Sequence, residues 1–183
     1  MNFTTFEYFP RMTYHREYAL RMEMSIPDPN ECPFPYIQIF DLDRIEDFQD
    51  AIDHGYLNVA ASQGDLYRMV PLDISPNGAG SPATCYERYR TRMEEANGYV
   101  VEVQTELKGI GSRWAASVAQ QDGKRMDAAR AALAAGDLET AAQYGRVYRL
   151  EPVDVEPLVK PWRPSEKEAE WKAGQEAEGQ ATA

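Results

Sequence analysis

The chain has 183 residues, enough for one domain with its own hydrophobic core, and its 43% hydrophobic and 27% charged residues are typical of a soluble globular protein. Its net charge of −11 argues against direct binding to nucleic acid or anionic lipid, which are themselves negative. Two cysteines cannot make a disulfide framework. The chain also begins without a basic leader and contains no run of 18 apolar residues, so we expect a cytoplasmic protein that does not span a membrane.

The first predicted elements are strands. Leu20–Ile26 alternates apolar and polar residues, the period of a strand with one buried face, and residues 1–9 could pair with it through a turn near 10–14. Residues 27–35 hold four prolines and predict a loop. The apolar run 36–42 that follows predicts a buried strand.

A two-faced helix is predicted over residues 44–54. Asp43 is the expected N-cap, Glu46 its capping-box partner, and Gly55 the stop. At 100° per residue, one side of this helix is apolar and faces the core. That buried side consists of Ile45, Phe48 and Ile52.

The rest of the first half completes a small, mostly antiparallel sheet. Strands are expected over 56–59 and 66–74, so that residues 1–74 form an N-terminal half that ends at a hinge over 75–81.

The second half, residues 82–152, is predicted to be mainly helical, which makes the fold class α+β. A helix should run from Ser81 to about Asn97, followed by a strand over Tyr99–Leu107 for which helix is the alternative. Further helices are expected at about 113–121, 124–135 and 138–150, with Gly136 and Asp137 as stop and N-cap. Residues 153–183 read as a proline-containing linker and a partly disordered tail.

Two short segments resemble known families. Residues 132–144, with Leu150-Glu151-Pro152 after them, resemble one hairpin of a tetratricopeptide-like repeat, which implies an antiparallel helix pair. Residues 39–43, an apolar run ending in Asp41-Leu42-Asp43, resemble the first motif of haloacid-dehalogenase-type phosphatases, which implies a nucleophile at Asp41 and a general acid at Asp43. Arg44 and Ile45 stand where that family has a small residue and Thr. An enzyme built on Asp41 and Asp43 is therefore a remote alternative, and no metal or cofactor is predicted.

The negative charge is concentrated in the first half. Residues 1–80 carry 13 acidic against 5 basic side chains, whereas residues 81–150 carry 9 against 10. A cluster of six carboxylates lies in one short segment and is the surface at which a partner can be inferred from charge. It consists of Asp41, Asp43, Glu46, Asp47, Asp50 and Asp53.

Carboxylates three and four residues apart on a helix lie about 5–6 Å from one another. This spacing is comparable with that of successive phosphates in DNA, so the row suits a protein surface that otherwise binds those phosphates. The leading hypothesis is a non-enzymatic interaction protein whose acidic face binds a basic, nucleic-acid-binding protein surface. A phage- or plasmid-type inhibitor that mimics DNA against a defence complex is one such protein. The alternative is an assembly or scaffold subunit, such as a virion component.

Overall fold

The computed structural model describes residues 6–27, 39–74, 89–109, 116–118, 120–161 and 163. The chain divides into two compact units, one formed by Met1–Arg68 with Pro152–Ala183 and the other by Met69–Glu151. Each unit contains antiparallel strands with helices packed against one face.

The first unit begins with a long antiparallel hairpin whose turn is at Arg16, a residue with a positive φ of 53°. Two helices follow, and a third strand then pairs with the second strand of the hairpin, which gives the order β1-β2-β3. The elements are β1 Phe6–His15, β2 Tyr18–Pro27, α1 Ile39–Asp53, α2 Leu57–Ala61 and β3 Asp65–Pro71.

The second unit has a hairpin with its turn at Asn97-Gly98, where Asn97 also has a φ of 53°. Its strand order is β7-β5-β4, with β6 paired to β5 and the end of β3 beside β7. The elements are β4 Tyr89–Ala96, β5 Tyr99–Gly109, β6 Ala116–Val118, α3 Gln120–Ala135, α4 Leu138–Ala142 and β7 Gly145–Pro152.

The two units are built from an internal repeat. The series β1-β2-α1-α2-β3 is repeated as β4-β5-α3-α4-β7, with an offset of 81 residues, as from Gly55 to Gly136. The strand registers match as well, because Tyr18 is opposite Arg68 and Tyr99 is opposite Arg149. The identical positions within the repeated elements are Tyr8/Tyr89, Arg11/Arg92, Met12/Met93, Tyr18/Tyr99, Asp41/Asp122, Arg44/Arg125, Ala51/Ala132, Gly55/Gly136, Leu57/Leu138, Ala60/Ala141, Ala61/Ala142, Gly64/Gly145, Tyr67/Tyr148, Arg68/Arg149, Pro71/Pro152 and Asp73/Asp154.

The segments that follow β3 and β7 are exchanged between the repeats. Leu72 follows β3, yet it belongs to the second unit, where its backbone N–H donates to Val147 O at 2.9 Å. Val153 follows β7 and belongs to the first unit, where its N–H donates to Leu66 O at the same distance. Each unit therefore contains the body of one repeat and the final segment of the other.

The helices bury their apolar sides against the second strand of each repeat. In the first unit Phe48 and Ile52 of α1 join a cluster with Leu20, Met22 and Met24 of β2, which confirms the predicted buried side of this helix. In the second unit smaller side chains fill the equivalent space. They are Val101, Val103 and Ala129, which pack with Leu133, the counterpart of Ile52.

A glycine begins the last strand of the second repeat because β5 leaves no room for a side chain. A Cβ atom on Gly145 would overlap the carbonyl of Glu102, and one on Gly64 would overlap the carbonyl of Arg21 in the same way. Gly145→Ala should therefore lower the free energy of unfolding by at least about 2 kcal/mol, as for overpacking. Gly123 in α3 is the control, because its Cβ would meet no atom within 4 Å. Gly123→Ala should raise stability by up to about 1 kcal/mol in urea unfolding, and equal losses for both variants would contradict this account.

The predicted fold class is wrong, because the second half is not mainly helical. Residues 89–96 were expected to be helix on the spacing of Tyr89, Met93 and Ala96, but they form β4 and pair with β5. Asn97-Gly98 is a hairpin turn and not a helix end, and such Asn-Gly turns are typical between antiparallel strands.

The helix predicted at 124–135 is confirmed as α3, which begins earlier, at Gln120, whereas the other two predicted helices are replaced by strands wholly or in part. Residues 116–118 form β6, and Gly145–Pro152 forms β7 where the helix over 138–150 was expected. The helix pair implied by the tetratricopeptide resemblance is therefore only α3 and the five-residue α4. The strand over Tyr99–Leu107 and the helix stop at Gly136 are confirmed.

The first half also differs at three places. Residues from Ile39 onward begin α1 and not a strand, residues 57–61 form α2 and not a strand, and the hairpin turn is at 16–17. Of the loop predicted over 27–35, Pro27 is the last residue of β2 and the remainder lies outside the described residues. The hinge over 75–81, the helix start at Ser81 and the tail from 164 also lie outside them. The domain boundaries drawn from the sequence stay a prediction.

Candidate functional site

Asp41 is fully buried and does not belong to the exposed acidic surface, so its predicted place there is wrong. Arg44, one turn later on α1, donates to Asp41 Oδ1 at 3.2 Å, to Glu23 O at 2.9 Å and to Gln63 O at 2.6 Å. Burial lowers the pKa of Arg44, and the Asp41 carboxylate opposes that shift. This ion pair ties α1 to β2 and to the turn before β3.

The second repeat contains the same pair. Arg125 donates to Asp122 Oδ1 at 3.0 Å and to Gln104 O at 3.2 Å, and Gln104 occupies the position that Glu23 has in the first repeat. Because both repeats use this pair in the same way, we assign it to the fold. The phosphatase-like motif is also not at a strand end, since Asp41 and Asp43 lie within a helix, the first buried and the second exposed.

Four of the remaining carboxylates form an exposed row on α1. The helix begins at Ile39, so the predicted N-cap role of Asp43 is wrong and its side chain is in the second turn, open to solvent. We call these four residues the acidic row. It consists of Asp43, Glu46, Asp47 and Asp50.

Asp53 is exposed but has a structural role. Its Oδ1 accepts a hydrogen bond from His15 Nε2 at 2.8 Å and is 2.6 Å from Arg16 Nη2. The bond from His15 and the charge of Arg16 lower the pKa of Asp53. These contacts hold the β1–β2 turn to the end of α1. In the second repeat Asn97 makes the equivalent connection by donating from Nδ2 to Ala134 O at 2.6 Å.

The second repeat does not share the acidic row. It has the same helix, buried ion pair and glycine stop, but its α3 carries mostly alanine where α1 carries acid. The second repeat has Lys124 in place of Asp43, Asp127 in place of Glu46, Ala128 in place of Asp47, Ala131 in place of Asp50 and Ala134 in place of Asp53. The fold therefore does not require the acidic row.

An exposed aromatic ring lies at the C-terminal end of α1. Tyr56 is 59% exposed and stacks on the His54 ring, with centroids 5.9 Å apart and planes 11° from parallel. His54 in turn is held by a 2.7 Å hydrogen bond between its Nδ1 and Asp50 O, one of the carbonyl groups in the last turn of the helix.

Tyr56 occupies a position where the second repeat has a helix cap. Its counterpart, Asp137, accepts a hydrogen bond from Thr140 N at 3.0 Å, which confirms the predicted N-cap of α4, and this bond lowers the pKa of Asp137. Within the part of the chain that the structure describes, the Tyr56 side chain makes no such bond to α2. Sequence reasoning missed Tyr56, and only alignment of the two repeats could have drawn attention to it.

Among the described residues, no three His, Cys, Asp or Glu side chains are placed to hold a metal ion together. No helix in the described ranges is long and apolar enough to cross a membrane. Comparisons of the chain with protein-family models, with curated proteins and with solved structures found no match.

Proposed function

We propose that this chain is a non-enzymatic interaction protein and that the acidic row of α1 binds a basic protein surface. The observation that carries the proposal is the internal comparison, in which one repeat has the acidic row and the other folds without it. Like charges one turn apart on a helix destabilise it by about 0.2–0.5 kcal/mol per pair, so the row works against folding. Binding of a partner explains why the chain carries the acidic row despite this cost in stability.

The form of the row favours a partner that normally binds nucleic acid. Its carboxylates follow one helix face at a regular spacing and offer a line of negative charge, and clustered charge of one sign raises association rates with an opposite surface. An inhibitor of phage or plasmid type, which occupies the nucleic-acid site of a defence complex in the cytoplasm, would use such a surface.

An assembly or scaffold subunit is the second candidate. Leu158 and Val159 are 66% and 63% exposed, and their backbone N–H groups bond to Asn58 O and to Ser62 Oγ of the first unit. Exposed apolar side chains held in place are suited to a partner contact that does not depend on charge.

The test is recovery of partners from cells of the organism that encodes the chain. Tagged native protein is compared with a variant carrying Asp43→Asn, Asp47→Asn and Asp50→Asn, which keeps side-chain size and removes three charges. The matched control carries Asp73→Asn, Asp154→Asn and Glu156→Gln, which removes the same charge from exposed positions elsewhere.

We expect a basic nucleic-acid-binding protein to co-purify with the native and control proteins and to be depleted with the α1 variant. Recovery of one apolar assembly partner at equal yield with all three proteins would favour the scaffold candidate.

A further inference from the structure

We infer that Tyr56 is the binding position for an arginine side chain of the basic partner. This inference rests on the proposed function and names the side chain that the surface selects. Three features of the first unit converge at this position: an exposed aromatic ring, the negative end of a helix, and the acidic row.

The aromatic ring is held in place. The Tyr56 backbone N–H donates to Ala51 O at 2.8 Å, and one face of the ring rests on His54. The residue is 59% exposed, so a large part of it is accessible to a ligand. A planar guanidinium can stack on such a ring, and the same chain shows this contact where Arg21 lies 5.8 Å from the centroid of the Tyr67 ring.

Helix α1, which ends just before Tyr56, is a source of negative charge. The ring follows the C-terminal end of α1, where carbonyl groups give the helix its negative pole. His54 links the ring to Asp50, the last member of the acidic row. A cation drawn to α1 therefore meets the ring at the end of that row.

The aromatic residue replaces a stabilising cap. In the second repeat Asp137 caps α4 with its side chain. The equivalent residue of the first repeat is Tyr56, whose side chain makes no such bond to α2.

The experiment measures binding of two labelled peptides, nona-arginine and nona-lysine, to the full chain by fluorescence anisotropy at low salt. The proteins are the native chain, Tyr56→Leu, which keeps apolar volume without an aromatic ring, and Tyr56→Phe, which keeps the ring. Since position 56 is exposed, all three should have the same far-UV circular dichroism spectrum.

The native protein should bind the arginine peptide about two- to fivefold more tightly than the lysine peptide, as for an exposed cation–π contact. Tyr56→Leu should bring this ratio close to one, whereas Tyr56→Phe should keep it. An unchanged ratio in Tyr56→Leu, or equal affinities for the native protein, would overturn the arginine inference and leave the acidic row as a binding surface. Failure of both peptides to bind would overturn the proposed function as well.

Discussion

Replacing Arg44 with alanine should lower the free energy of unfolding by roughly 3–5 kcal/mol, as for removal of one partner from a buried ion pair. The Asp41 carboxylate would remain fully buried after losing the guanidinium, and the carbonyls of Glu23 and Gln63 would lose this donor. Urea unfolding followed by circular dichroism measures the loss.

The second repeat supplies the control for Arg44. Arg125 makes two of the equivalent contacts, to Asp122 and to Gln104 O. Its side chain is 40% exposed against 4% for Arg44, so water can hydrate the groups that lose the guanidinium. Arg125→Ala should therefore cost about 1 kcal/mol. Losses of similar size for the two variants would contradict the assignment of Arg44 as the buried connection between α1 and β2. In the double variant Asp41→Leu with Arg44→Met, stability should be largely recovered, because no buried charge remains.

Truncation of Phe48 to alanine should cost roughly 3–5 kcal/mol, the range for a buried aromatic residue. Phe48 is fully buried between α1 and β2, where the large side chains Met22 and Met24 surround it. The second repeat has the buried residue Ala129 at this position, in a cluster of smaller side chains that includes Val103. The expected loss is therefore specific to the larger side chains of the first unit.

Phe48→Leu is the matched variant for this position. It keeps most of the apolar volume and should cost less than about 1.5 kcal/mol in the same unfolding experiment. A loss below about 1 kcal/mol for Phe48→Ala would show that α1 is not anchored through this residue.

Local patterns predicted part of the fold correctly. The alternation in β2 and β5, the glycine stops at 55 and 136, the cap at Asp137 and the buried side of α1 all depend on residues close together in the sequence. Long-range pairing decided the rest. Residues 89–96 have an apolar spacing that suits a helix, but β5 supplies the hydrogen bonds that make them a strand.

Charge alone could not separate structural from exposed carboxylates. Asp41 and Asp43 are two positions apart in one acidic segment, yet the first is buried against Arg44 and the second is exposed. The same two residue types recur as Asp122 and Arg125 in the second repeat, and this recurrence distinguishes the structural Asp41 from the exposed Asp43. The repeat was missed because its identical residues are scattered and its core positions exchange large for small side chains, as Phe48 does for Ala129.

The acidic row is also smaller than the predicted cluster. Asp41 is buried in an ion pair, and Asp53 connects α1 to His15 and Arg16. Substitution of either would disturb the fold as well as the surface. Asp43, Asp47 and Asp50 are the better positions at which to separate binding from stability, since α3 folds with lysine and alanine in their places.

The most direct measurement of the central claim is the salt dependence of binding between this chain and the basic partner recovered with it. Affinity is measured from about 50 to about 300 mM salt for the native protein, the Asp43→Asn, Asp47→Asn, Asp50→Asn variant and the equally neutralised control. The α1 variant should associate more slowly, bind more weakly and lose affinity less steeply with salt, while the control follows the native protein. An α1 variant with native affinity and native salt dependence would contradict the claim that the acidic row is the binding surface.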